Sequence, residues 1–536
     1  MNTIDWTIII SYLAAMVAFS VYLGRNQESQ EDYYVGGRDL PWWAIGISTM
    51  ATQSSANSFL GIPAFVALKE GGGLTWLQYE LAVPLAMIFV MVVLLPFFRK
   101  LELVSVYEYL ELRFGRPTRL FLSGVFLISR ALATGMGIYA AAIVLTVCLG
   151  IPIWSTILII GVVTIIYDTI GGMAAVVYSD VIQMIVLVIG VALCIGFVAV
   201  EVGGLSEMFA ALPADRWQAL DMSTGLEQVS PKEASETPFW GFLIGGFFLY
   251  VSYYGVDQSQ AQRELSAPTI EDTKRSLILN GLARFPMTLL YLVLGAAMGA
   301  AYYKIPELRT AVDAHDKIDF LVPEFILTQL PVGIRAVLIS AILAAAMSSL
   351  DSALNSLSAA TLKDFLEDRV APERLLTVGK IVTVIWGIVI TAFAFLFVYD
   401  EGSKTVVESI NKIGSAFYGP ILAAFCMGLL SRRSTGPGVI VGTLAGVGFN
   451  VYLWLAHPEV FWMWWNLFGL VITCIITWAV SLCTQPPPPE QVLPYTLKLG
   501  DVAERERPWL KTYWGLVLYT ALILAVCYAC NLYAGS

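Results

Sequence analysis

LAAAMSSLDSALNS, Leu343 to Ser356, is the stretch on which the fold turns. It follows the apolar lead-in RAVLIS and runs on into LSAATL. So apolar a run suits a helix crossing a bilayer, yet it carries four serines, an asparagine and a carboxylate. At helical spacing, Ser348, Asp351, Ser352 and Asn355 fall within about 100° of arc. Ser349 and Ser356 widen that face, and Ala344, Ala345 and Ala346 let a neighbouring backbone come close. Hydroxyls alone would suit helix packing in any membrane bundle. Asp351 does not, because an ionised carboxylate at the centre of a membrane helix costs at least ~2.5–3.5 kcal/mol. It needs a proton, a cationic partner or a bound cation.

The rest of the chain has the same character. Of 536 residues, 57% are hydrophobic and 13% charged, about half the charged fraction of soluble domains. Fourteen apolar segments follow one another: 5–23, 41–68, 74–98, 119–149, 151–170, 178–201, 237–261, 276–303, 318–362, 376–398, 405–430, 437–456, 460–483 and 511–533. Crossing a bilayer takes roughly 20 residues of helix, and only helices or closed barrels satisfy their backbone in lipid. These runs are continuous rather than alternating, so the expected fold is all-α, a polytopic membrane protein of about fourteen helices. Lys and Arg gather in alternate loops, as in Arg99, Lys100, Arg113, Arg116 and Arg119, or Lys363, Arg369, Arg374 and Lys380. The positive-inside rule then puts both termini outside.

No basic region precedes 5–23, which reads as a retained span rather than a cleaved signal. The seven cysteines lie in or beside apolar segments and suggest no disulfide framework. His315 and His457 make no metal cluster. A net charge of −10 gives no reason to expect nucleic acid. The acidic loop 202–236 and the linker 484–510, with PPPP at 486–489, offer no second domain.

Further polar residues stand where they cost most. Asp180 lies in VVYSDVIQMIVLVIG, Glu80 in TWLQYELAVPLAMIF and Arg130 in FLISRALATGMGIYAA. Arg130 either neutralises Glu80 or Asp351, or binds an anionic ligand. The second segment, PWWAIGISTMATQSSANSFLGIPAF, is small and polar from Thr49 to Ser58, with Gly61 and Pro63 beyond. A break there would free carbonyls at mid-membrane, which suit Na⁺, and hard cations prefer oxygen ligands. The serines of Leu343–Ser356 then read as cation ligands.

Five motifs, EDYYVGGRDLPWWAIGIS, VYEYLELRFGRPTR, GGMAAVVYSDVIQ, YYGVDQSQAQREL and AAAMSSLDSALNS, occur in the order found in one family. Over nearly its full length the chain resembles the sodium:solute symporters, nearer the iodide, monocarboxylate and vitamin branch than the sugar branch. The resemblance implies two inverted five-helix repeats, 41–201 and 237–430, with added helices at 5–23 and 437–533. It implies a main sodium site of the Ala51, Ser54 and Ala345 carbonyls and the Ser348 and Ser349 hydroxyls. A second sodium, in members that have one, would use Asp180 with Asp351 and Ser352. Asp351 replaces the family's hydroxyl, which either strengthens that site or makes it a proton carrier.

For the solute, the resemblance keeps Glu80 of the sugar-binding set. Ser58 and Tyr250 replace its Gln and Asn, and no certain Lys equivalent appears near Arg284–Pro286. Asn411 matches a substrate-contacting Gln, and Tyr253 an aromatic gating the inner side. Gln53, Ser55 and Asn57 complete the candidate set. Arg130 lies about one helical turn from the Arg that a sialic-acid branch uses for the substrate carboxylate. The implied protein is a sodium-coupled symporter of the cell membrane, importing a small solute by alternating access. An anion (monocarboxylate, vitamin acid or sialic acid) is expected, with a neutral sugar or polyol as the alternative. A membrane sensor on the same fold is a remote alternative, since the chain stops soon after its last helix. An enzyme is not expected, since the loops hold no acid, base or metal cluster and no phosphate-binding glycine loop.

Overall fold

Backbone in hydrocarbon must bond to itself, and the apolar runs do so as helices. In a computed structural model, residues 1–227, 237–315, 318–398 and 406–534 are described, without the side chains of Asn26, Asn57, Leu499 and 406–410. Lys232, Lys317 and Lys404 lie outside them. The described residues contain no strand. The main helices are α1 (Thr3–Leu23), α2 (Trp42–Gln53), α3 (Ala56–Ala67), α4 (Leu74–Lys100), α5 (Arg116–Leu149), α6 (Ile153–Val202), α7 (Gly241–Gly255), α8 (Gln258–Glu264), α9 (Ile270–Lys304), α10 (Ile334–Thr361), α11 (Leu375–Phe397), α12 (Val406–Leu430), α13 (Gly436–Ala456), α14 (Trp464–Leu482) and α15 (Leu510–Ala534). Eleven helices among the described residues are long and apolar enough to cross a membrane.

The breaks position the site. Segment 41–68 is not one helix. α2 stops at Gln53, Ser54 leaves helical geometry (φ −82°, ψ 62°) and Ser55 is extended (φ −73°, ψ 169°) before α3 begins. Segment 237–261 likewise breaks between α7 and α8, at Val256 and Asp257. Segments 151–170 and 178–201 run together as the 50-residue α6, interrupted at Gly172 (φ 56°, ψ −157°). A Cβ there would lie 2.6 Å from the Tyr33 carbonyl oxygen, so glycine is required twice over. Segment 318–362, expected as one run, is divided: a short helix, Leu321–Gln329, ends before Pro331, and Gly333 (φ 86°) turns the chain into α10. Proline holds the preceding Leu330 extended (φ −94°, ψ 140°), which stops the helix.

α10, the serine helix, is buried along almost its whole length, whereas α1 and α15 are largely exposed. It packs against α1, α5, α6 and α11, and touches α2, α3 and α8. Its polar face therefore meets protein on every side. Ile381, Ile385 and Ile388 on α11 keep an outward apolar stripe, as lipid requires.

Candidate functional site

A helix that stops at Gln53 leaves the carbonyls of its last turn without the donors of a following turn. Ser54 N still bonds Met50 O at 3.1 Å. Ser349 on α10 reaches this end: its Oγ lies 3.3 Å from Thr52 O and 3.5 Å from Ala345 O. Thr52 Oγ1 and Ser352 Oγ are 3.0 Å apart. Ala51 and Ser54 are buried at the same break. Hydroxyls and peptide oxygens thus meet where the sequence singled out both stretches, and an all-oxygen set fits a hard monovalent cation. Ser348 faces differently, its Oγ donating to Asp180 Oδ1 at 2.5 Å. The oxygen keeps lone pairs for an ion, but its hydrogen is committed.

The buried carboxylates form one network with this face. Asp180 also accepts from Ser48 Oγ at 2.6 Å, and Arg263 Nη2 lies 3.3 Å from its Oδ2. Arg263 donates to Ser352 Oγ as well. Asp351 accepts from Tyr167 OH at 2.6 Å, with Ser179 Oγ at 3.5 Å and Ser352 Oγ at 3.2 Å. Asp180, Asp351 and Ser352 are therefore neighbours, and a fixed guanidinium stands on two of them. Asp168, unremarked in the sequence, is fully buried, and neither of its carboxylate oxygens has a partner among the described residues.

A cavity of about 220 Å³ opens beside the break. Gln53, Ser55, Ser58, Glu80, Arg130, Tyr253 and Asn411 all line it, and so do Thr52 and Ser349, so the hydroxyl face of α10 and the cavity share a wall. Tyr250 does not line it; its ring packs 5.0 Å from Tyr79, which does. The side chain of Asn57 is outside those described. Arg130 pairs with neither Glu80 nor Asp351. Its partner is Asp257, with Nη1 and Oδ2 3.6 Å apart. The reason is competition. Glu80 accepts from Arg284 Nη2 at 2.9 Å and Thr288 Oγ1 at 2.7 Å, and Asp351 takes hydroxyls. Asp257, Arg284 and Tyr418 were not among the predicted site residues. Arg284 carried a signal, an arginine deep in an apolar run. Asp257 carried another, a carboxylate beside a helix break.

Residues 33–446 match the profile of the Sodium:solute symporter family. The chain is 29% identical over 486 residues to the sodium/sialic acid symporter NanT of Aliivibrio fischeri, covering 89% of this chain and 92% of that one. It is 29% identical over 463 residues to the human sodium/iodide cotransporter, covering 84% and 69% of the two chains. Its fold matches a substrate-bound, outward-open structure of a Na⁺-coupled sialic acid symporter with a TM-score of 0.80 and 28% identity, over 90% of this chain and 99% of that one. A likeness to the nucleobase-cation-symport-1 transporter Mhp1, at TM-score 0.53 and 12% identity, concerns the fold alone. The chain belongs to the sodium:solute symporter family.

Proposed function

We propose that the protein couples sodium entry to uptake of a small organic anion across the cell membrane. The observation carrying this is Ser349, which touches the broken end of α2 and also forms part of the cavity wall. Sodium held by the Ala51, Ser54 and Ala345 carbonyls and the Ser348 and Ser349 hydroxyls would tie α2 to α10. That tie favours the outward-facing, solute-ready arrangement, and losing the ion inward loosens it. Asp180, Asp351 and Ser352 would take a second sodium only if Arg263 drew back from two of them.

Fourteen crossings follow when α2–α3 and α7–α8 each count as one broken span and α6 as two. Two inverted repeats, 41–201 and 237–430, agree with the packing: α2 and α3 lie against α9, and α7 against α4. The first span of each half thus meets the second span of the other. The loop charges put both termini outside.

Arg130 favours an anion. Its only ion pair among the described residues is long, and its Nε is buried without a partner. A carboxylate could take that edge of the fork. Sialic acid, monocarboxylates and vitamin acids are the solutes to try. A second reading, a neutral sugar or polyol, draws on Glu80, whose Oε2 is buried and unpartnered beside the cavity. Thermal-shift measurements with sialic acid, pyruvate and glucose, each in sodium and in choline, separate the two. Sodium-dependent stabilisation by a carboxylate supports the first reading, and by glucose alone the second.

A further inference from the structure

Helix α8 reads QSQAQRE, seven residues without one large apolar side chain, and all of them are buried. Buried polar groups need partners; Gln258 and Glu264 find theirs in neighbouring backbone and hydroxyls, and the other polar groups of α8 reach toward two different sites. At its N-cap, Asp257 Oδ1 accepts from Ser259 N at 2.9 Å and Ser259 Oγ at 2.6 Å, while Oδ2 faces Arg130. Gln260 Nε2 donates to Tyr253 OH at 2.7 Å, and both Tyr253 and Arg130 line the cavity. At the other end, Arg263 holds Ser352 and Asp180, and Asp180 holds Ser348. Gln262 Nε2 reaches Asn355 Oδ1 at 2.8 Å on the same face of α10.

We propose that α8 is the element coupling the solute site to the sodium site, with Asp257 the positioning residue at its solute end. The inference rests on the functional reading above. Asp257 holds Nη1 of Arg130 and leaves the Nε edge for a solute carboxylate. An anion bound there competes with Asp257 for the same positive charge. Loosening that pair frees the N-terminal end of α8. The helix carries the shift to Arg263, and so to Asp180 and Ser348. Linkage is reciprocal, so sodium must act on Arg130 through the same path. Asp257 touches none of the sodium-binding candidates, so a merely structural role would leave sodium affinity alone.

Binding of radiolabelled sodium to the purified full-length protein, without solute, tests this. Asp257→Asn removes the charge and keeps an oxygen for Ser259. Its half-saturating sodium concentration is expected to shift about fivefold or more, and Asp257→Glu to stay near wild type. Asp257→Asn and Arg263→Lys should be non-additive. Asp257→Asn and Lys274→Met, which disturbs the distant Lys274–Glu506 pair, should add. Wild-type sodium affinity in Asp257→Asn, or additivity with Arg263→Lys, overturns the coupling alone. A wild-type protein that binds no sodium overturns the functional reading and the coupling together. Should Asp257→Asn fail to fold, Arg130→Gln breaks the same pair from the other side and is measured against the same expectation.

Discussion

Ser349 contributes an oxygen 3.3 Å from the Thr52 peptide carbonyl at the broken end of α2. Ser349→Ala is expected to raise the sodium needed for half-maximal solute binding about tenfold, ~1.4 kcal/mol. Arg130→Lys exchanges a planar fork for a point charge, so carboxylate solutes should bind about tenfold more weakly, with glucose unaffected; titration in saturating sodium reads the difference. Glu80→Gln leaves Arg284 buried without its counter-charge, which costs about 3–5 kcal/mol. Thermal unfolding should therefore show a fall of several degrees, with or without solute. The hydroxyl face of α10 was legible because helical spacing alone assembles it. Arg130 was legible as a buried cation but its partner was not. Pairing with Asp257 is decided by which helices pack together and by Arg284 claiming Glu80 first, and neither is written in a local pattern.

Among the elements, the break in segment 41–68 was legible from its small polar residues, and the structure puts it at Ser54 and Ser55. The division of 318–362 was missed because the apolar content continues through Pro331 and Gly333, and hydropathy counts content rather than direction. α8 lay inside a motif the sequence singled out, but its burial was not legible for the opposite reason: its composition is that of a surface loop, and only tertiary contacts bury it. Gly172 marks an element sensitive to a single added atom. Gly172→Ala puts a side chain into a backbone region that is essentially glycine's alone, at a cost of roughly 1–3 kcal/mol, and adds a contact with the Tyr33 carbonyl that backbone cannot easily yield. A lower melting temperature and a smaller monodisperse fraction in size-exclusion chromatography are expected.

At the scale of the whole molecule, a buried polar helix, two broken spans and a cavity converge at one place in an otherwise apolar bundle. The proposed orientation, with both termini outside, makes a direct prediction. In a cysteine-free background, Glu207→Cys should react with a membrane-impermeant maleimide on intact cells, and Glu490→Cys only after permeabilisation. The reverse pattern would invert the topology. The central claim, that the broken end of α2 and the hydroxyls of α10 together hold sodium, is tested most directly by equilibrium binding of radiolabelled sodium. Wild-type protein is compared with the Ser348→Ala/Ser349→Ala double variant, each verified as folded. Saturable binding that disappears in the double variant is the predicted result. Undiminished binding in that variant would contradict the account.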